Sequence, residues 1–129
     1  MIQNDLTYQA LTKAIEGSQR RQEAIASNLA NLNTKNYKAN RISFEGELKK
    51  ALGEAQKSRD FESAKAKINH IAPKVVKDQS SRMNNDGNNV DLDQEMSLMA
   101  ANQILYQTLI QQLNQKYQTM SYVIHEGRR

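Results

Sequence analysis

The chain has 129 residues, 38% of them hydrophobic and 5% aromatic, with one Pro, no Trp, no Cys and a net charge of +4. The missing cysteine excludes disulfide frameworks, thiol catalysis and Cys-based zinc sites, and the scarcity of Gly and Pro argues against a turn-rich all-β fold. The positive balance is concentrated in the middle, where residues 33–78 hold eleven Lys and Arg against six Asp and Glu.

The opening MIQNDLTYQALTKAIEG has no basic region followed by an apolar run, so no cleaved secretory signal is expected. It reads instead as a helix. A seven-residue ladder runs Tyr8, Leu11, Ile15, Ser18, Gln22, Ile25, Leu29 and Leu32, with polar Ser18 and Gln22 halfway along. Ala10, Ala14, Ala24, Ala26 and Ala30 widen its face with small residues, which let another helix approach and favour helix themselves. Asn31, Asn33, Thr34 and Asn36 then supply residues that tolerate the left-handed conformation, a helix stop.

Residues 41–56 form a short amphipathic helix or an anchored loop, with Phe44, Leu48, Ala51 and Leu52 at helical spacing and Gly46 and Gly53 opposing a helix. Residues 57–89 are charged and polar. Within them KINHIAPKVVKD suggests one or two short strands, which Pro73 confines to an edge, and residues 77–89 read as loop or disorder.

A second long helix starts at Asp91, an N-cap with Gln94 three residues on, as in a capping box. Asp93 and Glu95 put negative charge in its first turn, and Arg128 and Arg129 follow Gly127 at the far end, as the helix dipole favours. Its ladder is nearly unbroken: Leu92, Met96, Met99, Gln103, Tyr106, Ile110, Leu113, Tyr117, Met120 and Ile124. Steps of four and three place these on one narrow seam, the pattern of a coiled coil. Gln103 is its single polar rung, and Gln22 and Gln103 are expected to set register, as buried polar residues do in coiled coils.

The expected fold is mainly α. Two long terminal amphipathic helices, residues 1–34 and 91–129, pair as a coiled coil in one domain around a polar middle, residues 35–90, that is irregular or carries short β-strands. A lone pair with one narrow seam buries little surface, so packing against neighbouring subunits is expected to supplement it.

Signs of site chemistry are few. Aligning Gly87 with the glycine of an EF-hand loop puts Arg82 at the first ligand position and Asp93 at the twelfth, and a cation in the first position disqualifies the loop. His70 and His125 have no neighbour at metal-ligand spacing, and no Walker, GxGxxG, GxSxG or HExxH pattern occurs. No metal, cofactor or enzymatic activity is expected. Lys35, Lys38, Arg41, Lys49, Lys50, Lys57 and Arg59 are mixed with carboxylates, which favours a solvated face or subunit contact over a nucleic-acid stripe. No apolar run reaches the roughly 20 residues of a membrane span, and no direct lipid binding is expected.

Two stretches are recognisable. Ser27-Asn28-Leu29-Ala30-Asn31, then Asn33-Thr34 and Tyr37-Lys38-Ala39, resembles the N-terminal signature of axial proteins of the bacterial flagellum. Asp86-Gly87-Asn88-Asn89-Val90-Asp91-Leu92-Asp93, followed by Glu95-Met96, is similar to the C-terminal motif of the FlgB family of proximal rod proteins, as Arg20-Arg21-Gln22-Glu23 is to a run before the first signature. The chain departs from the family at Lys35-Asn36, where Pro-Gly is usual, and Asn36 can still supply the positive φ.

The resemblance implies a structural subunit of the basal-body rod, needed for motility and exported without a cleaved signal by the flagellar type III apparatus. It implies FliE, FlgC, the export-gate proteins and further copies of the chain as partners. It also implies that Phe44 and Leu48 match an export-gate pattern, and that Asn28 and Asn31 hydrogen-bond across subunits. A helical export chaperone or adaptor, holding another protein through the same seams, is the rival reading.

Overall fold

Side-chain oxygens start three of the four helices in the computed structural model, which describes residues 5–79 and 83–128. Arg82 and Arg129 lie outside the described residues. Asp5 caps α1 (Leu6–Ala30), accepting from the Thr7 amide at 2.7 Å. Asp60 caps α3 (Phe61–His70), and Asp91 caps α4 (Leu92–Glu126) by accepting from the Gln94 amide at 3.1 Å. Each satisfies an amide that the first helical turn leaves unpaired. The remaining helix, α2 (Glu45–Ser58), has no side-chain cap and ends at Arg59 in the left-handed region, φ 55°.

Among the described residues the molecule is mainly α, with the two long terminal helices, two short helices between them and a small two-stranded sheet in the middle. Strand β1 (Asn40–Ser43) pairs antiparallel with β2 (Lys74–Lys77), Ile42 opposite Val75 and Arg41 opposite Val76. Pro73 stands just before β2, and Lys74 and Lys77 close its ends, which discourages pairing with another chain. The helix α3 has no long apolar stripe. It is made by its cap and by Ala64 and Ile68, four residues apart and both buried, too short a signal to stand out in a charged segment.

Helix α1 has two working faces. One carries Leu6, Ala10, Ala14 and Ala24 against the middle of the chain, where Ala24, Ile42, Phe44, Ala51, Ile68 and Ile71 form the core and Leu48 and Leu52 pack on its edge. The small residues permit the close approach. Gly17 is the extreme case, because a Cβ there would overlap the Phe44 ring. The other face packs along α4.

The two long helices run antiparallel. Asn28 meets Glu95 near one end, Ser18 meets Asn102 midway, and Tyr8 meets Tyr117 edge-on near the other, ring centroids 6.0 Å apart. Helix α4 has 35 residues against 25 in α1, about 50 Å against about 37 Å. Its last turns carry Tyr122, Val123 and Ile124 exposed.

Asp5 also takes an ion pair from Lys116 on α4 at 2.8 Å. The hydrogen bond from Lys116 holds its carboxyl below the usual carboxylate range, with the Thr7 and Tyr8 amides adding to the effect and partial burial opposing it. A carboxylate whose pKa is depressed by folding stabilises the fold above its unfolded value, about 3.9, and that stabilisation disappears as pH falls through the lowered folded value. Asn caps helices as well as Asp does, so Asp5→Asn removes the charge and keeps the cap. Asp5→Asn is expected to unfold at a lower temperature than the parent at pH 7, with the gap closing in acid below pH 4. A gap that persists unchanged at pH 2.5 would reject the linkage.

Candidate assembly interface

The signature residues at the two ends of the chain converge on one polar junction. Helix α1 delivers Asn28, whose Nδ2 donates to the Asn40 carbonyl at 3.0 Å and to Glu95 Oε2 at 3.1 Å. Its Oδ1 accepts from the Asn40 amide at 2.8 Å and from the Tyr37 hydroxyl at 3.2 Å. Asn28 is fully buried, and its hydrogen-bonding capacity is used inside the chain. Asn31 donates to the Ser27 carbonyl at 2.8 Å and accepts from Thr34 Oγ1 at 3.0 Å, closing the end of the helix.

The turn that follows needs positive φ, and Asn36 adopts it at 60°. Its amide donates to the Asp86 carbonyl at 3.0 Å, while Lys38 Nζ donates to the Gly87 carbonyl. The loop before α4 is therefore ordered where it meets this turn. Asn88 Nδ2 is shared among the carbonyls of Asn31, Leu32 and Thr34 at 2.8–3.1 Å, and Asn89 bridges the Ala39 amide and the Asp78 carbonyl. Both asparagines are buried. Asn88 caps carbonyls just past the end of α1, where helical partners run out, while Asn89 ties the residue before β1 to the residue after β2.

Beneath them lies a charge cluster. Glu95 is 0% exposed, and its Oε1 faces Arg41 Nη2 at 2.7 Å as a charge pair rather than an aligned hydrogen bond. Arg41 Nε also reaches Asp78 at 3.4 Å. Glu95 thus does more than complement the helix dipole. It ties α4 to β1 and, through Asn28, to α1.

In the ladder from Tyr8 to Leu32, none of Tyr8, Leu11, Ile15, Ser18, Gln22, Ile25, Leu29 and Leu32 is exposed. The α4 seam is corrected at every second rung. The residues turned inward are Glu95, Met99, Asn102, Tyr106, Leu109, Leu113, Lys116 and Met120, all buried or half-buried. Their steps are again four and three. They share Met99, Tyr106, Leu113 and Met120 with the expected ladder and take the residue before each of Met96, Gln103, Ile110 and Tyr117.

The physical reason is that α1 offers polar partners. Asn102 donates to the Ser18 carbonyl at 3.0 Å and to Gln22 Oε1 at 3.1 Å, and accepts from Ser18 Oγ at 3.0 Å. Gln103 is exposed, so the buried polar rung expected there is Asn102. A polar break in the α1 ladder, Ser18 and Gln22, signalled that its counterpart on α4 would be polar. Apolarity alone selected the neighbouring row.

The displaced residues form a row of their own on the flank of α4. Leu92, Met96, Gln103, Tyr117 and Ile124 are exposed, and Met99 and Ile110 half-buried. Phe44 is buried and Leu48 partly so, and Asn33 and Thr34 are exposed at the turn. Of the basic residues, Lys38 and Arg41 are engaged inside the fold. Among the described residues no group of three or more His, Asp and Glu is placed to hold a metal ion, and no helix is long and apolar enough to cross a membrane.

The family model described as flagella basal body rod protein matches residues 10–38, from α1 through the Asn36 turn. The flagellar basal body rod protein FlgB of Bacillus subtilis is 33% identical over 129 residues, covering 95% of each chain. FlgB of Borreliella burgdorferi is 39% identical over 97 residues, 67% of this chain and 71% of its own. FlgB of Escherichia coli is 32% identical over 119 residues, 83% of this chain and 84% of its own.

Proposed function

Because the chain belongs to the FlgB family of flagellar basal body rod proteins and is thereby a structural subunit of the flagellar rod, we propose that it joins its neighbours through the displaced row on α4. In this reading α1 and α4 pair as a coiled coil within the subunit. The observation that carries it is the one-residue offset between the seam that faces α1 and the apolar row beside it. Leu92, Met96, Met99, Ile110, Tyr117 and Ile124 repeat at coiled-coil spacing; Tyr117 packs edge-on against Tyr8 of α1, and Leu92, Met96 and Ile124 are each about half exposed. A second row of that period suits a helix from another subunit. Head-to-tail contacts that do not close build a shaft.

The neighbours are other rod components, and we infer FliE, FlgC and further copies of this chain among them, with the export-gate proteins below. The working part is structural and needs no catalysis. Export through the flagellar type III apparatus would use the unfolded chain. Phe44 is 3% exposed, so a gate that reads Phe44 and Leu48 must act before folding. Asn28 and Asn31 contribute by holding the junction rather than by bonding across subunits.

In a strain lacking its own copy, the variant carrying Met96→Glu and Ile124→Glu is expected to be expressed and folded but non-motile. Both side chains are about half exposed, at 51% and 52%, so two surface charges should leave the circular dichroism of the purified chain intact. Full swimming by this variant would reject the row as the interface.

A further inference from the structure

We propose that the first turn of α4, from Asp91 to Met96, seats in the groove between α2 and α4 of a second copy of the chain. The proposal rests on the reading that the displaced row meets a neighbouring subunit, and it names what that neighbour offers.

The groove is apolar at its floor. Leu48 and Leu52 of α2 face Leu105 and Leu109 of α4 across Ala14 of α1, around a space of about 460 Å³. That is large enough to take a few side chains. Its rim carries two charged residues, and one of them, Glu45, is already paired with Arg21. Lys49 stands on it with no ion-pair partner among the described residues.

The first turn of α4 has the opposite character. Leu92 and Met96 are each about half exposed, at 49% and 51%. They are bracketed by Asp91 and Asp93, both exposed. The Asp93 carboxylate has no partner among the described residues. Two apolar knobs framed by negative charge therefore match an apolar floor whose one unpaired rim charge, Lys49, is positive, and complementary potentials of this kind select partner and register.

The far end of α4 is the rival occupant. Tyr122, Val123 and Ile124 are at least as exposed, but Glu126 and Arg128 give that end charges of both signs. The first turn and the groove lie about thirteen residues apart along α4, roughly 20 Å. Two different patches on one chain make a heterologous contact, which builds a helical array where its rotation does not close.

The chain has no cysteine, so introduced pairs report cleanly. In basal bodies from cells whose sole copy carries Met96→Cys and Leu52→Cys, mild oxidation is expected to give chain-to-chain cross-links that neither single variant gives. Adding Lys49→Glu should lower the yield several-fold, and adding Asp93→Lys to that variant should restore it. If Met96→Cys is shielded from thiol reagents in the rod but does not cross-link to Leu52→Cys, the groove is overturned while the row stands as an interface. If Ile124→Cys cross-links to Leu52→Cys instead, the rival occupant replaces this one. If Met96→Cys labels freely in assembled rods, both readings fall.

Discussion

Arg41→Ala is expected to destabilise the isolated chain by about 3 kcal/mol. Removing one partner of a buried ion pair typically costs about 3–5 kcal/mol, because the other charge stays buried and uncompensated. Arg41 retains 26% side-chain exposure while Glu95 has none, which places the loss near the lower bound. The Asn28 hydrogen bond to Glu95 Oε2 remains but cannot neutralise the carboxylate. Adding Glu95→Gln to Arg41→Ala removes the stranded charge, keeps an acceptor for Asn28, and should recover a substantial part of the loss. Urea denaturation of the four proteins in the cycle measures both numbers. An Arg41→Ala midpoint indistinguishable from the parent would show that the Glu95 charge is not held as described.

Gly17→Leu is expected to be the second costly change. Gly17 is buried in α1, and a Cβ there would fall within the Phe44 ring. The ring has little room to retreat, since it is buried in the core and the Arg21 guanidinium lies 5.3 Å from its centroid. Forcing extra atoms into a packed core costs about 1–3 kcal/mol. For Gly17→Ala, the better helix propensity returns up to about 1 kcal/mol, so alanine should cost less than leucine. Thermal unfolding should therefore rank parent, Gly17→Ala and Gly17→Leu in falling order, and Phe44→Leu should partly rescue Gly17→Leu. A leucine variant as stable as the parent would mean that Phe44 does not close over this position.

These two sites differ in how far the sequence announces them. Gly17 sits inside a helical ladder with no local reason to be glycine, so its use is visible only when the Phe44 ring is found above it. Arg41 and Glu95 are 54 positions apart along the sequence, and each has a sufficient local reading, a basic middle segment for one and a helix N-terminus for the other. Asn88 and Asn89 fall within a recognisable motif, but the Asn88 partners in the turn after α1 and the Ala39 amide that Asn89 accepts from are distant in sequence. By contrast, the Asp91 cap and the positive φ at Asn36 are local choices, and both stand as the residues imply.

What the sequence by itself determined is what repeats or acts locally. Helical period, capping chemistry and the two end motifs established a mainly α chain with long terminal helices and its place among rod proteins. The tertiary structure decided the exact seam. A heptad ladder tells which residues are apolar, but two rows one residue apart on α4 are both largely apolar at their shared rungs. The choice fell to Ser18 and Gln22 opposite, which reward Asn102 with hydrogen bonds that Met or Leu cannot make and that would be costly to leave buried and unmet. That choice turned Glu95, Asn102 and Lys116 inward and left Leu92, Met96 and Ile124 exposed.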